Sequence, residues 1–377
     1  MKASNKILFV VNAPEFFLSH RLPLAQAARA EGHEVHVASA LGECAHKIED
    51  HGFTHHIVPF ARSGQNPLNE LTTLFKLVGL FRSLKPDLVH LVTIKPVLYG
   101  GIAARFSGIS AVVSAVSGLG TVFLASSVVA RVRMWLVKRL YAAAFKQKRL
   151  AVIFQNPDDR DTLLSLVALD SSRTRMIRGS GVALGEYLCQ PEPAGTPVVV
   201  MAARLLRDKG VFEFVQAAEH LVERNAAVKM RLIGSPDPGN PTSVSEHDLE
   251  RWKQAGVVEL LGYRTDIAEQ YAAANIVCLP SYREGLPKSL VEAAACCRAV
   301  VTTDVPGCRD AIIPDVTGLL VPVKDPVRLA DALQSLIENP VLRKKMGREG
   351  RKLAEEAFAI ERIVAQHLQI YRELLES

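Results

Sequence analysis

The sequence predicts two α/β domains, each built on a doubly wound parallel sheet. Three observations carry this. Short apolar runs of strand length alternate with stretches of helical period along the whole chain, which is the pattern of parallel βαβ units. The 377 residues suit about two domains, each large enough for its own core. Three prolines gather in Tyr187–Pro197, between two such alternations, and read as a linker. The expected division is therefore 1–186, a linker over 187–197, a second domain over 198–359, and a final helix over 360–377.

In the first half, strands are expected at Ile7–Val11, Glu34–Ala38, Leu88–Leu91, Ala111–Val116 and Ala151–Phe154. Helices are expected near Leu22–Glu31, Leu68–Leu84, Val97–Arg105 and Val128–Lys146. In the second half, strands are expected at Val198–Met201, Lys229–Ile233, Val257–Leu261, Ile276–Leu279, Ala299–Thr302 and Gly318–Val321. The last helix is amphipathic, with Ile363, Val364, His367, Leu368, Ile370, Tyr371 and Leu374 at helical spacing.

Composition narrows the class. Hydrophobic residues at 49% and charged ones at 22% are ordinary for a soluble α/β protein. Lys2 and Lys6 precede only a short apolar run, which reads as a buried first strand rather than a secretory leader. The six cysteines have no metal-ligand spacing and are expected as reduced, packed thiols of a cytosolic protein. Asn12-Ala13-Pro14 follows the first strand where a nicotinamide enzyme needs Gly-x-Gly-x-x-Gly, so that class is disfavoured.

The most informative segment runs from Ser281 to Ala293. Glu284 lies on the loop after a strand, and Glu292 lies inside the alanine-rich helix that follows. Pro287 suits the first helical turn, which leaves amides near Lys288, Ser289 and Leu290 for an anion. One carboxylate then serves hydroxyls on one side of a diphosphate and the second serves hydroxyls on the other. That describes a sugar–diphosphate–ribose ligand. Arg204 and Lys209 sit on a turn after Val198–Met201, where both can reach one diphosphate. Tyr263 and Arg264 end another strand and can offer groups to a base. A lone Glu-x7-Glu is frequent by chance, but here three pieces stand at the carboxyl ends of strands, where such sheets bind ligands.

These residues resemble a retaining glycosyltransferase of the two-domain family marked by Glu-x7-Glu. The resemblance spans nearly the whole chain and is sharpest between Val198 and Gly318. It implies the GT-B fold: two Rossmann-like domains facing across a cleft, with the C-terminal helix crossing back to the first. It implies that Glu284 binds the donor sugar, with Gly285 and Leu286 beside it, that Glu292 binds the ribose, and that Arg204 and Lys209 hold the diphosphate. Neither cofactor nor metal is expected.

Phe16-Phe17-Leu18-Ser19-His20-Arg21, His90, Thr93-Ile94-Lys95-Pro96 and Ser117-Gly118-Leu119-Gly120-Thr121 resemble a branch that builds bacterial lipid-linked glycans and surface polysaccharides. The implied substrates are a UDP-sugar and a polyprenyl-diphosphate-linked acceptor. Many relatives carry a histidine at the end of the fourth strand. Here Ser114-Ala115-Val116-Ser117 stands there, so His20 and Lys95 are the candidates for a polar group near the acceptor, each with a plain structural alternative.

From Leu88 to Pro157 there is no Asp or Glu, and the stretch carries +9 against +6 for the whole chain. On the helix after Val128, Val129, Val132, Leu136, Leu140 and Ala143 are expected to pack on the sheet. Arg131, Trp135, Lys138 and Arg139 fall on the opposite face, a mixture suited to an anionic membrane surface. A peripheral position on the cytoplasmic face follows. A solvated basic face is the ordinary alternative, and no nucleic-acid motif accompanies the charge. Phe106–Ala130 lacks charge but is too rich in glycine and serine for a spanning helix.

Overall fold

The structure, a computed structural model, describes residues 4–60, 67–119 and 128–376. They form two compact units, Met1–Ser180 with Glu361–Ser377, and Gly181–Ile360.

The first unit holds a seven-stranded parallel sheet: β1 (Lys6–Val10), β2 (Glu34–Ser39), β3 (Thr54–Ile57), β4 (Leu88–Val92), β5 (Ala111–Val116), β6 (Arg149–Phe154) and β7 (Thr174–Met176), in the order β3-β2-β1-β4-β5-β6-β7. Successive side chains point to opposite faces, and both faces are covered, so the central strands are apolar throughout. Leu8, Val10, Val89 and Val112 pack with Leu77, Phe81 and Tyr141 on one face. Ile7, Phe9, Leu88 and Val113 pack with Phe17, Leu24, Ile370 and Tyr371 on the other. The final helix, Ile360–Glu376, thus belongs to the first unit's core. Tyr371 meets His90 Nδ1 there, and His90 lies between the rings of Phe9 and His367. Burial pushes His90 far below the ordinary imidazole range and His367 to about 3, so both are neutral packing groups.

The second unit holds β8 (Val198–Ala202), β9 (Lys229–Ile233), β10 (Glu259–Gly262), β11 (Ile276–Leu279), β12 (Ala299–Thr303) and β13 (Gly318–Val321), in the order β10-β9-β8-β11-β12-β13. All six are parallel. All eleven strands expected from the sequence are present, within a few residues. β3 and β7 were not expected. Both are edge strands, Thr-His-His-Ile and Thr-Arg-Met, with no fully buried residue to make an apolar run.

Three expectations are corrected. The helix Val128–Ala144 packs through Tyr141 and Ala144, with Phe145 just beyond its end and Val137 and Leu140 partly buried, whereas Leu136 is exposed. The stripe that contains the two aromatics buries more apolar area and wins the contact. The side chains of 128–133, Arg131 among them, lie outside the described residues, as do Gly120 and Thr121. Next, the segment read as a linker, 187–197, lies wholly within the second unit. Its prolines lack N–H donors, so it is held through its carbonyls. Tyr187 O, Pro191 O and Pro193 O accept from Arg351, Arg298 and Asn275. Finally, Cys189 and Cys297 are joined by a disulfide with their Cα atoms 5.0 Å apart, while Cys44, Cys278, Cys296 and Cys308 are free.

Candidate active site

The site is assembled in the second unit from the loops that leave β8, β11 and β12, three strands in which β11 pairs with both others. Local sequence explains how the loops meet. Gly210 is left-handed, with φ +76, and a Cβ there would run into the carbonyl of Pro280. Gly307 has φ +82, and a Cβ there would lie 2.5 Å from the carbonyl oxygen of Glu284. Only glycine fits both requirements. Backbone bonds then lock the loops together: Tyr282 N–H to Asp208 O at 2.9 Å and Glu284 N–H to Pro306 O at 3.1 Å.

Glu284 is the hub. Its Oε1 accepts from Ser281 Oγ at 2.7 Å and forms an ion pair with Lys209 Nζ. Ser281, fully buried, also has its Oγ 3.0 Å from Asp208 O, so its single O–H faces both oxygens and ties the β8 loop to the β11 loop. Its role was not read from the sequence. Gly285 and Leu286 follow, both buried, and Leu286 packs into the core.

The helix Lys288–Ala295 starts next. Pro287 is its N-cap rather than a residue of its first turn, with extended backbone at φ −72, ψ 121. Leu290 N–H bonds to Pro287 O at 3.2 Å, so the amides left for an anion are those of Lys288 and Ser289. Glu292 is 6% exposed. Its Oε1 accepts from Tyr187 Oη at 2.6 Å and lies 3.2 Å from Lys288 Nζ. Burial pushes the Glu292 carboxyl above the usual carboxylate range, and Lys288 and the Tyr187 hydroxyl partly oppose it. Tyr187 was also missed, because it stands far away in sequence within a segment read as linker.

Other expected residues stand apart from this cluster. Arg204 is largely exposed and pairs with Asp237 at 2.9 Å, so the β8 turn brings only Lys209 to Glu284. The reason is local: Leu205 and Leu206 are drawn into the core, which leaves Arg204 outside. Tyr263 is 75% exposed, and Arg264 makes a two-bond contact with Asp266 at 2.8 and 2.6 Å.

In the first unit, His20 ends the helix Pro14–His20, stacks on Phe16 with centroids 4.2 Å apart, and meets Ser19 Oγ through Nδ1 at 2.7 Å. Lys95 donates to Glu70 Oε1 at 2.7 Å. Trp135 is exposed with the Arg139 guanidinium 5.3 Å from its ring centre, and Lys138 is exposed nearby. No described helix is long and apolar enough to cross a membrane. Among the described residues, no group of three His, Cys, Asp or Glu is placed to hold a metal ion.

Comparison with known proteins identifies the family and the fold. A family profile described as "Glycosyl transferase 4-like" matches residues 6–156, and one described as "Glycosyl transferases group 1" matches residues 190–353. Over 99% of its length the chain is 28% identical to the whole of the N,N'-diacetylbacillosaminyl-diphospho-undecaprenol alpha-1,3-N-acetylgalactosaminyltransferase of Campylobacter jejuni. It is 25% identical to the capsular polysaccharide biosynthesis glycosyltransferase CapM of Staphylococcus aureus, over 92% of each chain. The crystal structure of Anabaena Alr3699/HepE in complex with UDP superposes with a TM-score of 0.78 at 20% identity, covering 98% of this chain and 100% of that one. With the two profiles covering most of both units and the same fold in solved relatives, the chain belongs to the GT-B glycosyltransferases, close to the bacterial enzymes of lipid-linked glycan and capsule synthesis.

Proposed function

We propose that the chain is a retaining, metal-independent glycosyltransferase that moves a sugar, an N-acetylhexosamine, from a UDP-sugar to a sugar on a polyprenyl diphosphate. The observation that carries this is the convergence of Lys209, Ser281, Glu284, Lys288 and Glu292 around one helix start in the second unit. The diphosphate meets the amides of Lys288 and Ser289 and the ammonium of Lys209, which supply fixed positive charge where negative charge grows on the leaving group. Glu284 orients the donor sugar and Glu292 accepts from the ribose hydroxyls. The acceptor hydroxyl adds to the anomeric carbon on the face that the diphosphate leaves and passes its proton to the departing diphosphate oxygen, so configuration is retained without a protein nucleophile. The donor class and the lipid-linked acceptor are supported by the name of the Campylobacter relative and by the UDP bound in the Anabaena structure. His20 and Lys95 are assigned to the acceptor side, with Lys95 exchanging Glu70 for the acceptor.

Calorimetry with UDP, GDP and ADP, in the presence of a chelator, tests the donor site. UDP should bind best, and Glu292→Ala should weaken it by about ten- to a hundred-fold, the value of hydrogen bonds to one charged group. Glu284→Ala should lower turnover more than UDP affinity. Equal loss of UDP affinity in both variants, with turnover unaffected, would remove this division of roles.

A peripheral position on the inner face of the membrane is part of the same proposal. Exposed Trp135, Leu136, Lys138 and Arg139 on one helix support it. Flotation with anionic vesicles at low salt should carry the protein upward. The double variant Trp135→Ala, Lys138→Glu should float less, since each cation near such a surface contributes about 1 kcal/mol. A natural protein that stays with the buffer would favour the second reading, a glycosyltransferase acting on a free oligosaccharide.

A further inference from the structure

We propose that Tyr187 is a positioning residue for nucleotide recognition: its phenol holds one oxygen of Glu292 so that the other is presented to the ribose. The assignment rests on the ribose role given to Glu292 above. Tyr187 Oη donates to Glu292 Oε1 at 2.6 Å, and Lys288 Nζ lies 3.2 Å from the same oxygen. Glu292 Oε2 accepts no hydrogen bond among the described residues. The carboxylate is therefore asymmetric, with one oxygen engaged by the protein and the other available to a ligand.

Tyr187 is itself fixed. Arg351 Nη1 donates to Tyr187 O and to Ala295 O, each at 2.8 Å, so one guanidinium bridges the tyrosine backbone and the helix that bears Glu292. Two residues on, the Cys189–Cys297 bond joins the same segment to the residue beyond that helix's C-cap. A bond anchored at this many points holds a half-buried side chain in one rotamer, and that is what preorganised recognition requires.

Without the phenol, Glu292 would keep only Lys288 as a side-chain partner. Its carboxylate would then be less well oriented and less readily ionised. The groups that face it are Lys288 on its own helix, Glu186 and Tyr187 on the strap formed by residues 186–197, Tyr271 on the helix Ile267–Ala272, and Cys296. The hydroxyl of Tyr187 is the strap's only hydrogen-bond donor to the carboxylate among the described residues.

The test is calorimetry of the natural protein and Tyr187→Phe with UDP and with 2′,3′-dideoxy-UDP, across pH. The natural protein should prefer UDP. Tyr187→Phe should bind UDP about five- to ten-fold more weakly and dideoxy-UDP unchanged, so that the preference shrinks. The acid limb of its UDP affinity should move to higher pH, because the ionised carboxylate has lost a donor. Unchanged dideoxy-UDP binding also shows that the variant is folded.

A Tyr187→Phe protein with the natural preference overturns the assignment and leaves the role of Glu292 standing. Equal weakening toward both nucleotides also overturns it, making Tyr187 a packing residue. A natural protein that binds both nucleotides alike overturns the ribose role of Glu292 and this inference with it.

Discussion

Lys209→Ala should lower kcat by about 10²–10³, roughly 2.7–4 kcal/mol, the range for removing one preorganised group from a site where charge develops. The structure explains why the effect should fall on turnover. Lys209 lies on Glu284, whose Oε1 also accepts from Ser281, so its ammonium is held at a fixed point by a carboxylate that is itself fixed. Reorganisation of the ammonium during the reaction is therefore small. In the ground state Glu284 already neutralises part of that charge. The gain comes as the diphosphate departs and its charge grows, which is the condition for raising kcat rather than lowering KM. Steady-state kinetics with the donor varied gives the answer. A variant with natural kcat and a raised KM would mean that Lys209 contributes only uniform binding. Because Lys209 and Glu284 touch, the double variant with Glu284→Ala should lose less than the product of the single losses.

Glu192→Ala should destabilise the second unit by about 3–5 kcal/mol, the cost of removing one partner from a buried ion pair. Glu192 and Arg343 have side chains only 5% and 6% exposed. Arg343 reaches Glu192 through Nε and Nη2, the latter at 2.8 Å, and its Nη1 donates to Leu336 O. Alanine would leave a guanidinium buried with two carbonyls and no counter-charge. Asn275 would lose a partner too, since its amide donates to Glu192 at 3.2 Å. Urea unfolding followed through Trp252, which is buried in this unit, reads the effect in a Trp135→Phe background. The midpoint should fall with the slope unchanged. A loss under about 1 kcal/mol, the range of an exposed pair, would mean that the strap is anchored without this bridge.

That prediction concerns a segment whose local sequence points the other way. Tyr187–Pro197 has the prolines and glycine of a linker, and nothing within it signals attachment. Its partners, Arg298, Arg343, Arg351, Asn275 and Cys297, are scattered over more than seventy residues of the second unit. Only the folded sheet and its helices bring them together. The same reason hid Tyr187. A hydroxyl that contacts a carboxylate more than a hundred residues away leaves no spacing to read. The basic helix failed differently. Its sequence contains two apolar stripes, and the choice between them depended on what each would meet. The stripe with Tyr141 found the core, and Leu136 stayed outside.

By itself the sequence determined the two parallel α/β sheets, because strands buried on both faces must be apolar runs and the helices between them must be amphipathic. It also determined the loop proposed to hold the donor, because Glu284 and Glu292 lie close together in sequence around one strand-to-helix turn, where local backbone rules suffice. Tertiary structure alone decided which cation meets Glu284, since Lys209 and Arg204 share a turn and only the burial of Leu205 and Leu206 separates them. It decided the two edge strands, whose polar residues are recruited by hydrogen bonding to a neighbour rather than by burial. And it decided the hold on Glu292, which depends on groups that meet only after the chain has closed on itself.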